Sequence, residues 1–157
     1  MSTDRYLFEV GALTIAFAGT PVSENALDYV RKGISGEISA VIPTTALLGT
    51  YHMLRRRYNF PRKRAKNVVT NVLDAHRIKW HSKVSVDELQ NGLSSAHDHS
   101  IQGWDGYYSR IAQKYDATVL TIDSDFEDIP DVSCELVLTE DEMEELTEYM
   151  RNEGLID

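Results

Sequence analysis

Apolar residues fall into two kinds of segment that alternate along the chain. Short apolar runs rich in β-branched residues read as buried strands, and longer stretches with apolar residues three and four apart read as amphipathic helices. Arg5–Val10 (RYLFEV) is the first strand and carries one acid, Glu9. Gly11 and the run Ala12–Phe17 predict a turn into a short buried helix, ended near Gly19-Thr20-Pro21. Ser23 is the expected N-cap of a helix with Ala26, Leu27 and Val30 on one face, closed between Gly33 and Gly36. Ser39–Ile42 is the second strand, stopped by Pro43. Thr44 or Thr45 caps a helix through Arg57, with Leu47, Leu48, Tyr51 and Leu54 at core spacing. After the break at Asn59-Phe60-Pro61, Pro61 suits the start of a helix over Arg62–Ala75, whose apolar face is Ala65, Val68, Val69, Val72 and Leu73.

Arg77–His81 alternates and reads as a third strand. A helix follows from Ser85 to Ala96, where Ser85 and Glu88 have the spacing of a capping box. The triplet His97-Asp98-His99 comes next, but side chains two apart on a helix face different directions and no metal motif is matched. Asp105 opens a helix marked by Tyr108, Ile111, Ala112 and Tyr115, and Ala117–Ile122 is the fourth strand. Glu135–Leu138 is the fifth strand, and Thr139 with Glu142 forms a second capping box that opens an acidic helix to about Asn152. This alternation predicts an α/β fold: three layers, α/β/α, around a mostly parallel sheet of four or five strands. The chain reads as one domain over residues 1–157, with the C-terminal acidic helix at about 139–153.

The strand Ala117–Ile122 runs straight into Asp123-Ser124-Asp125. In open α/β sheets ligands bind outside the carboxyl ends of the strands. Glu9 ends the first strand, and Asp105 begins the helix that runs back before the fourth, so all of these acids can meet at one edge. Carboxylates gathered there repel one another unless a cation neutralises them. The alternative is local: Asp105 as a helix N-cap, Asp123 and Asp125 as turn formers.

A hydrophobic fraction of 42% excludes a disordered chain. The single cysteine, Cys134, excludes an internal disulfide and a cysteine-based zinc site. With no membrane-length apolar stretch and no signal pattern at the N-terminus, a reduced, cytoplasmic protein with no membrane partner is expected. The net charge of −9 speaks against a nucleic-acid partner, but its distribution speaks for one. Arg55, Arg56, Arg57, Arg62, Lys63, Arg64 and Lys66 put seven bases into twelve positions, while the chain from Asp116 onward holds fifteen acids and one base. Such a patch holds a phosphate backbone despite a negative total. Arg55, Arg56, Arg62, Lys63 and Arg64 are the candidate RNA-binding residues.

Three stretches together resemble the PIN domain family, and within it the VapC-type toxins. RYLFEVGALTIAF is similar to the family's first strand, ending in an acid before a small-residue turn. IPTTALLGTYHMLRR is similar to its second strand and following helix. GWDGYYSRIAQKYDATVLTIDSDF, the most specific, is similar to its third acidic site, helix and fourth strand with a Thr-x-Asp-x-Asp-Phe ending. The resemblance spans Arg5 to about Leu138 and implies a divalent-metal-dependent endoribonuclease for single-stranded RNA, a homodimer, and an antitoxin protein as partner. The implied catalytic residues are Glu9, Asp105 and Asp123. The implied ligands for Mg²⁺ or Mn²⁺ are Glu9, Asp105, Asp123 and Asp125, with Thr121 positioning a carboxylate. Val68, Val69, Val72 and Leu73 are the candidates for pairing two copies.

Two departures weaken the match. Glu9 stands where the family has aspartate, and Gly49 where it has a glutamate on the helix after the second strand. His52, one turn beyond Gly49 on the same face, is a candidate nitrogen ligand or phosphate contact. Weakened activity is therefore expected, with a catalytically silent RNA- or protein-binding module as the alternative. A phosphoacceptor receiver domain also gathers acids at strand ends, but it needs a late lysine, and no lysine follows Lys114.

Overall fold

The computed structural model describes residues 4–157. Five strands, β1 (Arg5–Phe8), β2 (Ser39–Pro43), β3 (Lys79–His81), β4 (Thr118–Thr121) and β5 (Cys134–Leu136), form one parallel sheet in the order β3-β2-β1-β4-β5. Among the described residues there are seven α-helices: α1 (Val10–Phe17), α2 (Glu24–Ser35), α3 (Thr44–Arg56), α4 (Arg62–Asn71), α5 (Val86–His99), α6 (Gly103–Tyr115) and α7 (Glu140–Asn152). The expected α/β class and parallel sheet are present. Strands β1, β2 and β3 advance in one direction, and the chain then returns across β1 to β4. Right-handed crossovers put the helices of the two runs on opposite faces. Accordingly α1 packs with α2 and α3, and α3 with α4, while α5 and α6 pack with each other.

A strand covered on both faces has no solvent side and so reads as an unbroken apolar run. Leu7, Phe8, Ala40, Val41, Ile42, Val119 and Leu120 are all buried accordingly. No helix among the described residues is long and apolar enough to cross a membrane.

Several local expectations are modified by tertiary contacts. The Thr139–Glu142 capping box closes in both directions, each hydrogen bond at 3.1 Å. The one at Ser85 closes in one direction only: Ser85 Oγ accepts from the Glu88 N–H at 3.1 Å. The Glu88 carboxylate is instead drawn to buried His81 and to Lys114, each at 2.9 Å. Ser23 flanks α2 but makes no capping bond, because its hydroxyl accepts the Thr20 N–H at 2.9 Å. Pro43, not Thr44 or Thr45, precedes α3. The helix expected over Arg62–Ala75 tightens into a 3₁₀ turn at Val72–Asp74. Leu48, expected in the core, is 74% exposed, because Ala46, Leu47, Thr50 and Leu54 carry the buried face of α3. Of the four residues expected to pair two copies, Val69 and Val72 lie in this chain's own core, Val68 is half-buried and only Leu73 is exposed.

The tightest contact joins α5 and α6. A Cβ at Gly106 would lie 2.2 Å from the Gly92 carbonyl oxygen, and one at Gly92 would lie 2.7 Å from Tyr107 Cα. Both obstacles are backbone, so neither yields by a rotamer change. This backbone approach sets the height of α6, and with it Asp105. Gly106→Ala should therefore overpack the helix pair and cost about 1–3 kcal/mol. Gly103→Ala, whose nearest obstacle is the flexible end of Leu93 at 3.2 Å, should change little. Thermal unfolding followed by circular dichroism separates the two; equal melting temperatures would show that the helices part without cost.

Candidate metal centre

The parallel register Phe8↔Leu120 aligns the carboxyl ends of β1 and β4. Strand order reverses between these two strands, which makes their carboxyl edge the crevice of the sheet. Glu9 follows β1 directly. Thr121 ends β4, and its hydroxyl accepts the Asp123 N–H at 2.9 Å, fixing the turn. Asp123 Oδ1 in turn accepts the Asp125 N–H at 2.9 Å. The turn-forming role open to Asp123 is thus realised alongside its place at the sheet edge. Asp105 is not the N-cap of α6; Gln102 holds that position and Asp105 is the third helical residue.

One carboxylate oxygen from each of Asp105, Asp123 and Asp125 lies within 4.8 Å of the others. Oxygens bound to one Mg²⁺ at about 2.0–2.1 Å stand up to about 4.2 Å apart, so a modest contraction closes the site. The donors are all hard oxygens, the set such ions prefer. This is the one group of three or more candidate ligands among the described residues. The triplet His97-Asp98-His99 is exposed, with His97 Nδ1 3.4 Å from Asp98 Oδ1 and no third ligand brought to it.

Glu9 is 6% exposed and faces the same cavity as Asp105 and Asp123, but it stands apart from the three-acid group. Its Oε1 turns back to accept the Ala12 N–H at 2.7 Å, capping α1. Burial pushes the Glu9 carboxyl up to about 7, against the pull of the Gly11 and Ala12 amides, and the Asp105 charge adds to the rise. The Thr121 hydroxyl favours its ionised form. Burial, then Asp123 and Asp125, raise Asp105 to about 6.

The cavity encloses about 570 Å³, and Gly49 and His52 also line it. No side chain can be added simply at Gly49: a Cβ there would lie 2.6 Å from Val10 Cγ2. Val10 therefore fills the space into which an acid at that position would project. The exposed His52 remains on the rim. Of the candidate RNA-binding residues, Arg55 donates to the Phe60 carbonyl at 2.7 Å and Arg64 lies 4.1 Å over the Phe60 ring. Arg56, Arg62 and Lys63 are exposed and make no ion pair among the described residues. Sequence reasoning missed the apolar half of the cavity, including Leu48, Met53, Trp104, Tyr108 and Ile122. A tryptophan beside a candidate acid was the available signal.

No family model matches the chain, and no curated protein matches it. Solved structures share its fold. VapBC2 from Rickettsia felis, bound to a DNA fragment from its promoter, has a TM-score of 0.64 at 13% identity, over 84% of this chain and 98% of that one. PAE2754 from Pyrobaculum aerophilum has a TM-score of 0.59 at 16% identity, over 83% of each chain. FitAcB from Neisseria gonorrhoeae has a TM-score of 0.57 at 16% identity, over 82% and 95%. At these identities the likeness establishes the fold alone, and that fold is PIN-like.

The acid environment sets a pH dependence. Glu9 and Asp105 rise from ordinary values of 4.5 and 3.8 to about 7 and about 6 on folding. The folded state therefore holds these protons more tightly, so their stabilising effect is full below about pH 4 and is lost as pH rises through 6 to 7. In chelator-treated protein the melting temperature should fall across that window. The fall should be shallower in Glu9→Gln, and a parent-like slope in that variant would show that Glu9 is not the group responsible.

Proposed function

We propose that this chain is a divalent-metal-dependent endoribonuclease of the PIN/VapC type, cleaving single-stranded RNA as the toxin of a toxin–antitoxin pair. The observation that carries the reading is the convergence of Asp105, Asp123 and Asp125 at the carboxyl edge of the sheet, where Asp105 and Asp123 line a cavity together with Glu9. The fold likeness to VapBC2 and FitAcB supports it. A protein antitoxin is the proposed partner and a homodimer the proposed assembly, with exposed Leu73, not Val69 or Val72, available to it.

Asp105, Asp123 and Asp125 hold Mg²⁺ or Mn²⁺ in this reading. A cation held by these three carboxylates would supply positive charge to a phosphodiester at the edge. Thr121 keeps the Asp123 turn in place through its hydrogen bond to the Asp123 N–H. Glu9, with a carboxyl near neutrality and one oxygen tied to α1, accepts a proton from an attacking water. Arg56, Arg62 and Lys63 hold the RNA backbone.

A second reading, a silent RNA- or protein-binding module, is favoured by the contact between Val10 and Gly49. That contact removes the space for an acid at position 49 and with it a well-held second cation.

Millimolar Mn²⁺ or Mg²⁺ should raise the melting temperature by mass action, and Asp123→Asn should reduce the shift. Asp105→Asn and Asp123→Asn should each abolish cleavage of a single-stranded oligoribonucleotide. Gly49→Glu alone should destabilise by about 1–3 kcal/mol through Val10, whereas Val10→Ala with Gly49→Glu should raise the cleavage rate. Parent-like cleavage in both asparagine variants would assign the activity to a contaminant and leave the binding module. Arg56→Ala, Arg62→Ala and Lys63→Ala should each weaken RNA binding regardless of sequence and lower the log–log salt slope by about 0.7; an unchanged slope would remove that residue from the interface.

A further inference from the structure

Trp104 precedes Asp105 on α6, lines the same cavity as the acids, and is 57% exposed. A large aromatic left in water costs hydrophobic free energy that a ligand recovers. The indole is not loose: it stacks on the Tyr108 ring, with centroids 5.9 Å apart and planes inclined by 21°. One face is thus supported by the fold while much of the ring remains open to solvent. On the same rim Leu48 is 74% exposed. The cavity therefore has an acidic half and an apolar, aromatic half. A nucleotide has the matching two halves, a phosphate for a cation held by the acids and a flat base for the rings.

A further observation points to a ligand. Leu48, His52 and Arg56 recur at i, i+4 and i+8 on α3, so an exposed stripe leads from the cavity rim to the basic end of that helix. Arg56, the charged end of this stripe, matches a phosphate backbone.

We propose that Trp104, supported from beneath by Tyr108 in the cavity that Leu48 also lines, is the stacking platform for a nucleobase next to the scissile phosphate. It is a positioning residue for single-stranded RNA. This rests on the ribonuclease reading above and names the part of the site that grips the substrate. Base–aromatic stacking tolerates any base, so the platform predicts little sequence preference at that nucleotide.

The test uses the full chain with Trp80→Phe, which leaves Trp104 as the single tryptophan. With Mn²⁺ present, a short oligoribonucleotide should quench Trp104 fluorescence, and an abasic oligonucleotide of the same length should not. Trp104→Ala should raise KM about ten- to a hundred-fold with a smaller change in kcat, and Trp104→Phe should restore most of it. The Mn²⁺-induced rise in melting temperature should survive in Trp104→Ala, because its acids are intact. Cleavage by the parent with no quenching and an unchanged KM in Trp104→Ala would overturn the platform and leave the nuclease. A parent that neither cleaves nor binds RNA would overturn both. Unchanged RNA affinity in Trp104→Ala, together with loss of a dimer in sedimentation, would assign the surface to a second copy of the chain and overturn the proposal.

Discussion

The unfavourable gathering of carboxylates at one sheet edge is the constraint on which the rest of this structure turns. Parallel pairing of β1 with β4 brings Glu9 and Asp123 to the same edge, and α6, which starts at that edge and runs away from it, adds Asp105 from its first turn. Burial and mutual repulsion then raise the Glu9 and Asp105 carboxyls above the ordinary carboxylate range. A fold under selection for stability alone would replace such groups with apolar residues. Their presence in a cavity, on a scaffold held rigid by the buried cores of β1 and β4, is a cost that a cation at the edge would offset.

Rigidity at that edge is supplied from a distance. Thr121 and Asp123 define the turn after β4 through two 2.9 Å hydrogen bonds from backbone amides. Asp105 is placed instead by the backbone contact of α5 with α6 at Gly92 and Gly106. The part-buried His81–Glu88 pair, with Lys114 on its far side, ties α5 to β3 and to α6. Two of the three ligand candidates thus depend on local turn chemistry and one on helix packing, so different substitutions will disturb them independently.

The sequence carried much of this, for identifiable reasons. Strands buried on both faces are continuous apolar runs, and the strand–helix alternation forces a parallel sheet, so the class and the converging acids were legible. The Thr139–Glu142 cap was legible because both partners are local. What failed to show was non-local. Nothing near Gly106 says that Gly92 lies against it, although a glycine inside a helical pattern is a flag. Glu88 has the spacing of a capping box, but His81 and Lys114 compete for it. The apolar spacing of α3 does not say whether Leu47 or Leu48 faces inward, and the residue turned outward belongs to the site.

Glu9 and Gly49 are linked departures. Glu9 is long enough for its carboxylate to curl back onto the Ala12 amide, so it caps α1 as well as facing the cavity. That cap fixes the first turn of α1, which begins with Val10, and Val10 packs where a side chain at position 49 would have to go. The glycine at 49 and the β-branched residue at 10 are therefore one packing solution viewed from two helices. Changing position 49 alone creates a clash, and changing position 10 alone opens a void beside the acids. Only the paired change leaves the helices where they are while adding a carboxylate to the cavity. The number of acids in this site is thus limited by the packing of α1 against α3 as much as by the identity of any one residue.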